Sequence, residues 1–142
     1  MTVAQAPSFA RAFTAEPHHI DELGHVNNAV WVQWIQDLAT AHWDHTARPE
    51  DHAAYFWVVI RHEIDYRANI AAGERAHGIT YIPDAPRGAK SVRVAEFTSE
   101  DGKPLVTART TWAMLDRATG RLARVRPAVI APFRPANEED AV

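Results

Sequence analysis

The stretch "IDELGHVNNAVWVQWIQD", Ile20 to Asp37, decides how this chain folds. An acid, a glycine, a histidine and two asparagines stand directly ahead of a run with helical spacing. Asn27 and Asn28 are poor residues for a helix interior, because short amide side chains compete for backbone partners. Either one is a good N-cap. From Asn28 to about Thr46 there is no Gly or Pro, and Val30, Trp31, Trp34, Ile35, Leu38 and His42 recur on one helical face. The spacing predicts one long amphipathic helix with a broad aromatic face. "ARPED" closes it, since the residue before Pro49 resists helical geometry. His42 and His45 share a face at three-residue spacing, which predicts partial exposure for both.

Around that helix the period changes. "SFARAFTA" (Ser8 to Ala15) alternates weakly and reads as a first strand ended by Pro17. After the helix, "YFWVVIRHEIDYRA" (Tyr55 to Ala68) alternates with period two, with Phe56, Val58, Ile60, His62, Ile64 and Tyr66 on one face. "ERAHGITYIP" follows a turn containing Gly73. "AKSVRVAEFTSE" and "PLVTARTTWAMLD" flank Asp101-Gly102, a strong hairpin signal. The tail "RPAVIAPFRPANEEDAV" is punctuated by prolines and reads as a surface segment that frays. One strand, one long helix and about four consecutive strands make an α+β domain. Consecutive strands joined by short turns pair antiparallel, and the helix must cover one face of the sheet. The expectation is a single domain over residues 1–135 and a flexible acidic tail over 136–142.

The composition narrows the function. At 142 residues the chain suits one domain and buries a sufficient core without disulfide or metal. It has no cysteine, which excludes a disulfide framework, a zinc–thiolate site and a cysteine nucleophile. The first residues lack the pattern of a secretory leader, and no apolar run approaches a membrane span. A cytoplasmic protein without a membrane partner is expected. The net charge of −3, histidines neutral, argues against nucleic-acid binding.

The polar cluster is larger than capping requires. If the helix starts at Asn27 or Asn28, Asp21 stands too early to cap it. Gly24 permits a backbone turn closed to other residues, and that turn can bring Asp21 back beside the helix N-terminus. Free backbone N–H groups there favour an anion, including the charge that develops on a substrate oxygen. An acid beside such donors is suited to hydrolysing an acyl bond, by activating water or by direct attack. The competing reading makes Asp21 the cap of an earlier turn, with Gly24 and both asparagines at unfavourable interior positions.

"DELGHVNNAVW" (Asp21 to Trp31) resembles the D-x-x-G-H-V-N-N-x-x-Y signature of the hot-dog-fold acyl-CoA thioesterases, the 4-hydroxybenzoyl-CoA thioesterase-like family. "HEIDYRANIAAGE" (His62 to Glu74) and "TARTTWAMLDRATGRLARV" (Thr107 to Val125) resemble later segments of the same family. The resemblance implies a hot-dog fold, a curved antiparallel sheet of about five strands wrapped around one long helix. It implies hydrolysis of an acyl-CoA or aryl-CoA thioester with no cofactor and no metal. Asp21 would be the catalytic carboxylate, as general base or nucleophile. Asn28 would offer its backbone N–H to the thioester carbonyl, and His25 and Asn27 would orient the acid, the water or the carbonyl. The family's sites lie between subunits, which implies a homodimer or homotetramer with the active site at the interface. Trp31 stands where the family usually has tyrosine, so a phenol is replaced by an indole N–H donor beside the substrate.

Other residues carry weaker signals. Asp37 is the second candidate acid, against a solvated helix charge. His18, His19, Asp21 and His25 include metal-ligating types but meet no motif of defined geometry. His62, on the apolar phase of its strand, reads as a satisfied core histidine. Arg87 and Lys90 flank Gly88 and, with the arginines from Arg117 to Arg126, are candidates for the phosphates of coenzyme A. Alternative functions are an acyl-carrier-protein thioesterase, a hot-dog hydratase or dehydratase, and a non-catalytic acyl-binding subunit.

Overall fold

The computed structural model describes residues 7–134. The acidic tail expected over 136–142 lies outside the described residues. The elements are β1 (Phe9–Thr14), a single 3-10 turn at Pro17–His19, α1 (Asn28–Thr46), α2 (Pro49–Ala54), β2 (Tyr55–Tyr66), β3 (Arg75–Tyr81), β4 (Lys90–Thr98), β5 (Pro104–Asp116) and α3 (Pro127–Ile130). The strands form one antiparallel sheet in the order β1-β3-β4-β5-β2. The long helix has the predicted bounds, and Asn27 caps it by accepting the Ala29 N–H at 2.8 Å.

One face of α1 is buried on the sheet. Trp31, Trp34, Ile35 and Leu38 pack with Phe13, Ala76, Phe97, Leu105 and Val106 in one apolar cluster. The aromatic rings meet edge to face, Trp31 on Trp34 at 5.1 Å and on Phe97 at 5.5 Å, the arrangement that ring quadrupoles favour. Gly78 on β3 allows this closeness. A Cβ there would stand 2.8 Å from Phe97 Cε2 and 3.0 Å from Leu38 Cδ2. The arrangement is the hot-dog fold, one long helix against a five-stranded antiparallel sheet.

Three local expectations are corrected. First, β2 does not pair with β3, although the two are consecutive. It lies at the far edge of the sheet, beside β5. The connection over 67–74 runs across one end of the sheet: the Arg67 and Ala68 N–H groups bond Leu105 O, and the Gly73 N–H bonds Ala15 O. Second, the inward face of β2 is not continuous. Val58 and Ile60 are 40% and 49% exposed, while Trp57 and Val59 are half-buried. The pairing with β5 shifts between Val59 and Arg61, which switches faces and turns His62 and Ile64 inward. Third, the proline-rich segment after Arg126 is not superficial. Val129, Ile130 and Phe133 are buried and form a second apolar cluster with Trp43, Ile82, Met114 and Val125. Its prolines start a short helix at Pro127 and leave apolar side chains free to fill the space beside the C-terminal half of α1.

The short helix α2 stands where the sequence reads only as the end of α1. Pro49 occupies its first turn, where the missing N–H has no cost, and Arg48 grips the buried Asp51 carboxylate through two bonds of 2.8 and 3.0 Å. Among the described residues no helix is long and apolar enough to cross a membrane.

Candidate active site

The residues before α1 form a compact turn. Ile20 and Val26 pair antiparallel, the Asp21 N–H donates to His25 O, and the Asn27 N–H donates to His19 O. Residues 19–21 therefore run alongside 25–27, and Gly24 closes the loop at φ 82°, a conformation that costs glycine nothing. Asp21 does not cap a helix. Its Oδ1 accepts from the Leu23 N–H at 2.9 Å and the His25 N–H at 3.4 Å, an Asx-type turn.

The connection crossing the end of the sheet clamps this turn from behind. Asn69 Nδ2 donates to Val26 O at 3.0 Å, the Val26 N–H donates to Ile70 O, and Asn69 Oδ1 accepts from Trp31 Nε1 at 3.2 Å. His19 Nδ1 accepts the Glu16 N–H, and its ring stands edge-on to Trp34.

The structure brings four of the expected residues together: Asp21, His25, Asn27 and Asn28 belong to one turn and the helix start it leads into. His25, Asn27 and Asn28 are exposed and Asp21 is half-buried. The Asn27 side-chain carbonyl is occupied by its cap bond. The N–H groups of Val30 and Trp31 donate to Asn27 O, whereas the Asn28 N–H donates to no protein group among the described residues. Trp31 is directly beneath. It is fully buried and its indole N–H is satisfied by Asn69, so in the single chain it presents no surface to a ligand.

Other expected residues stand elsewhere. Asp37 accepts from Gln33 Nε2 at 2.8 Å and lines an open groove with Arg11 and His45, ten residues beyond the cap. Arg87 and Lys90 sit in the exposed turn before β4, where Lys90 is opposite Ala113. Val106, opposite Tyr66 at the other end of β5, is seven residues away, about 23 Å along the strand. Within one chain the basic turn and the Asp21 turn are at opposite ends of the sheet. Among the described residues no three histidine or acidic side chains are arranged to hold a metal ion.

His62 is half-buried, with Nδ1 2.8 Å from Thr110 Oγ1 and Nε2 3.5 Å from Gln36 Nε2, and burial holds its pKa below the ordinary value. His42 is corrected from partly exposed to 2% exposed. Burial, then the neighbouring Arg93 and His45, push its pKa down to about 4. Arg93 belongs to no motif of the sequence. It shares a strand face with Ser91, Ala95 and Phe97, all buried, and an arginine on that phase is the signal that could have found it.

The model of the thioesterase-like superfamily matches residues 15–133. The chain belongs to that superfamily. Thioester hydrolysis is the reaction after which the superfamily is named. No curated protein sequence matches the chain significantly. Among solved structures, this superfamily member is similar to a Staphylococcus aureus protein in complex with CoA, at 16% identity and a TM-score of 0.77, over 96% of this chain and 92% of that one. It is similar to a 1,4-dihydroxy-2-naphthoyl-CoA thioesterase from Synechocystis, at 14% identity and a TM-score of 0.75, over 89% and 96%. It is also similar to an acyl-ACP thioesterase from Bacteroides thetaiotaomicron, at 22% identity and a TM-score of 0.76, over 92% of this chain. There the chain spans just over half, 56%, of the longer protein. At such identities these likenesses establish the fold.

Proposed function

We propose that this protein hydrolyses an acyl or aryl thioester of coenzyme A at the turn that precedes α1. The observation that carries the reading is the pairing of one uncommitted donor with one half-committed acid. The Asn28 N–H at the positive end of a 19-residue helix has no protein partner among the described residues, and Asp21 uses only Oδ1 in its own turn. Asp21 stands two residue steps from Asn27 along the paired segment, about 7 Å of backbone, a span suited to a thioester carbonyl and an attacking group. In the general-base form, Asp21 takes a proton from water and the hydroxide adds to the carbonyl carbon. The oxyanion forms against the Asn28 N–H, and the C–S bond breaks to release the thiolate. In the nucleophile form Asp21 adds to the carbonyl carbon, and the C–S bond breaks to expel the thiolate and leave a mixed anhydride. Water then opens the anhydride to free the acid and restore the Asp21 carboxylate. His25, exposed on the same turn, orients the water or the carbonyl, and Asn27 contributes by holding the helix start in place.

The site is completed by a second copy of the chain. β2 is an edge strand with exposed Val58, Ile60 and Tyr66. Two copies of β2 paired antiparallel about a two-fold axis would set the Asp21 turn of one subunit beside the Arg87–Lys90 turn of its partner. Those cations would then meet the phosphates of coenzyme A, while the fully buried Trp31 would support the helix start from within rather than touch the acyl group.

The test is free-thiol release from short, medium, long and aromatic acyl-CoAs, and from the same acyl groups on a carrier protein, with wild type and Asp21→Asn in parallel. Wild type should release thiol, and the variant should turn over about 10²-fold more slowly or worse. Near-normal turnover by the variant would move the chemistry to Asp37 or elsewhere. Binding without thiol release would favour hydration chemistry or a non-catalytic acyl-binding role.

A further inference from the structure

A cavity of about 220 Å³ opens between the C-terminal half of α1, α3 and the starts of β2 and β4. It contains none of the residues of the Asp21 turn. Its first helix residue, Ala39, is 12 residues beyond the cap, about 18 Å along α1. Trp43, Trp57, Trp112 and Phe133 supply aromatic walls, with Trp43 and Phe133 stacked at 5.5 Å.

The polar groups in those walls are biased to one kind. Arg93 is nine-tenths buried, and no carboxylate of the described residues is within ion-pair distance of it. Its Nη1 donates to His42 Nδ1 at 2.8 Å and Thr80 Oγ1 at 3.3 Å, both neutral acceptors. Its Nε and Nη2 donate to no protein group among the described residues. Burying a guanidinium without an anion is costly, and a low-dielectric wall strengthens its attraction for one. Ser91 Oγ, Trp57 Nε1 and Trp112 Nε1 are also buried, and none has a hydrogen-bond partner among the described residues. Three of these four groups can only donate. Arg117 lies over Phe56 at 5.6 Å at the rim. The one acid in the lining, Asp44, is exposed and held by His52 at 2.8 Å.

A cation and a set of donors behind aromatic walls suit an anion with an apolar body. The volume is below the roughly 300–1,000 Å³ of drug-sized pockets, so the ligand is small. We infer that this cavity is a binding site, separate from the Asp21 turn of the same chain, for a small carboxylate with an aromatic or branched apolar body. The carboxylate bonds the free edge of Arg93, and the body lies against Trp43 and Phe133. The acids released by thioester hydrolysis belong to this chemical class, but the site does not depend on the reaction proposed for the Asp21 turn.

The experiment is a titration of the full chain with benzoate, phenylacetate and hexanoate, and with benzamide and phenylacetamide as neutral matches. Binding is read from the indole N–H resonances of the five tryptophans. The acids should shift Trp57 and Trp112 saturably and leave Trp31 unmoved, and the amides should bind at least tenfold more weakly. Arg93→Met should weaken benzoate at least tenfold, and Asp21→Asn should leave its affinity unchanged. If Arg93→Met does not fold, the acid–amide comparison in wild type still decides. Equal binding of acid and amide, no saturable shift, or loss of binding in Asp21→Asn would overturn the inference. So would binding of acids only after Glu138→Gln, Glu139→Gln and Asp140→Asn are combined, because the chain's own carboxylates would then be the occupant.

Discussion

The indole N–H of Trp31 donates to Asn69 Oδ1 at 3.2 Å, and the amide of the same Asn69 donates to Val26 O at 3.0 Å. One side chain thereby ties the first turn of α1, the end of the Asp21 turn and the connection that crosses the sheet. Asn69→Ala should destabilise the protein by about 1–3 kcal/mol, because it leaves a buried indole N–H and a buried carbonyl without partners. Turnover should fall with little change in KM, since the turn loses its position rather than its substrate contacts. Urea denaturation with steady-state kinetics checks both. Unchanged stability would mean that water replaces the amide at no cost.

The cap and the chemistry separate at Asn27. Asn27→Ser keeps an oxygen for the Ala29 N–H and should be nearly neutral, whereas Asn27→Ala should lose about 1 kcal/mol. If Asn27 acts only through the helix start, turnover of Asn27→Ser should stay within a few-fold of wild type. A large loss in Asn27→Ser would give the amide a direct part in orienting water or carbonyl.

Gly78 marks the closest approach of α1 to the sheet. Gly78→Ala places a methyl 2.8 Å from Phe97 and 3.0 Å from Leu38 and should cost roughly 1–3 kcal/mol by overpacking. Adding Phe97→Leu should recover part of that loss, and thermal unfolding of the single and double variants measures the coupling.

Stability should fall in mild acid because of His42. Its folded pKa is depressed to about 4, against about 6.5 for an exposed histidine. Between those values the unfolded chain binds a proton that the folded chain refuses, so stability is full above pH 6.5 and declines as pH falls toward 4. The contribution is roughly 3 kcal/mol across that window. His62, shifted in the same direction by burial, adds to the trend. Denaturation of wild type and His42→Gln from pH 7.5 to 4.5 checks it: the variant should have the shallower slope.

The exposed edge of β2 is testable by charge. Ile60→Lys sits on a surface position of the single chain and should leave its fold intact. If β2 edges pair between subunits, the variant should sediment as a smaller species and lose activity. An active Ile60→Lys monomer would refute a shared site.

Much of the fold was legible because its signals are local. The Asn27 cap, the absence of Gly and Pro to Thr46 and the 3.6-residue recurrence of aromatic residues define α1 within its own segment. Gly24 and Asp21 likewise announced a turn, since positive φ and an Asx bond need only a few residues. β2 was legible as a strand but not in its inward face, because a one-residue bulge reverses the phase without interrupting the alternation read from sequence.

The sequence by itself determined one helix, five strands, and an acid and a free helix N–H placed within seven residues. These depend on neighbours along the chain. The tertiary structure alone decided that β2 crosses to the far edge, that the Arg87–Lys90 turn stands at the opposite end of the sheet from Asp21, and that Arg93 is buried beside a neutral His42 under Phe133. Each of those depends on contacts between segments tens of residues apart, where the outcome is set by which apolar surfaces can be covered together.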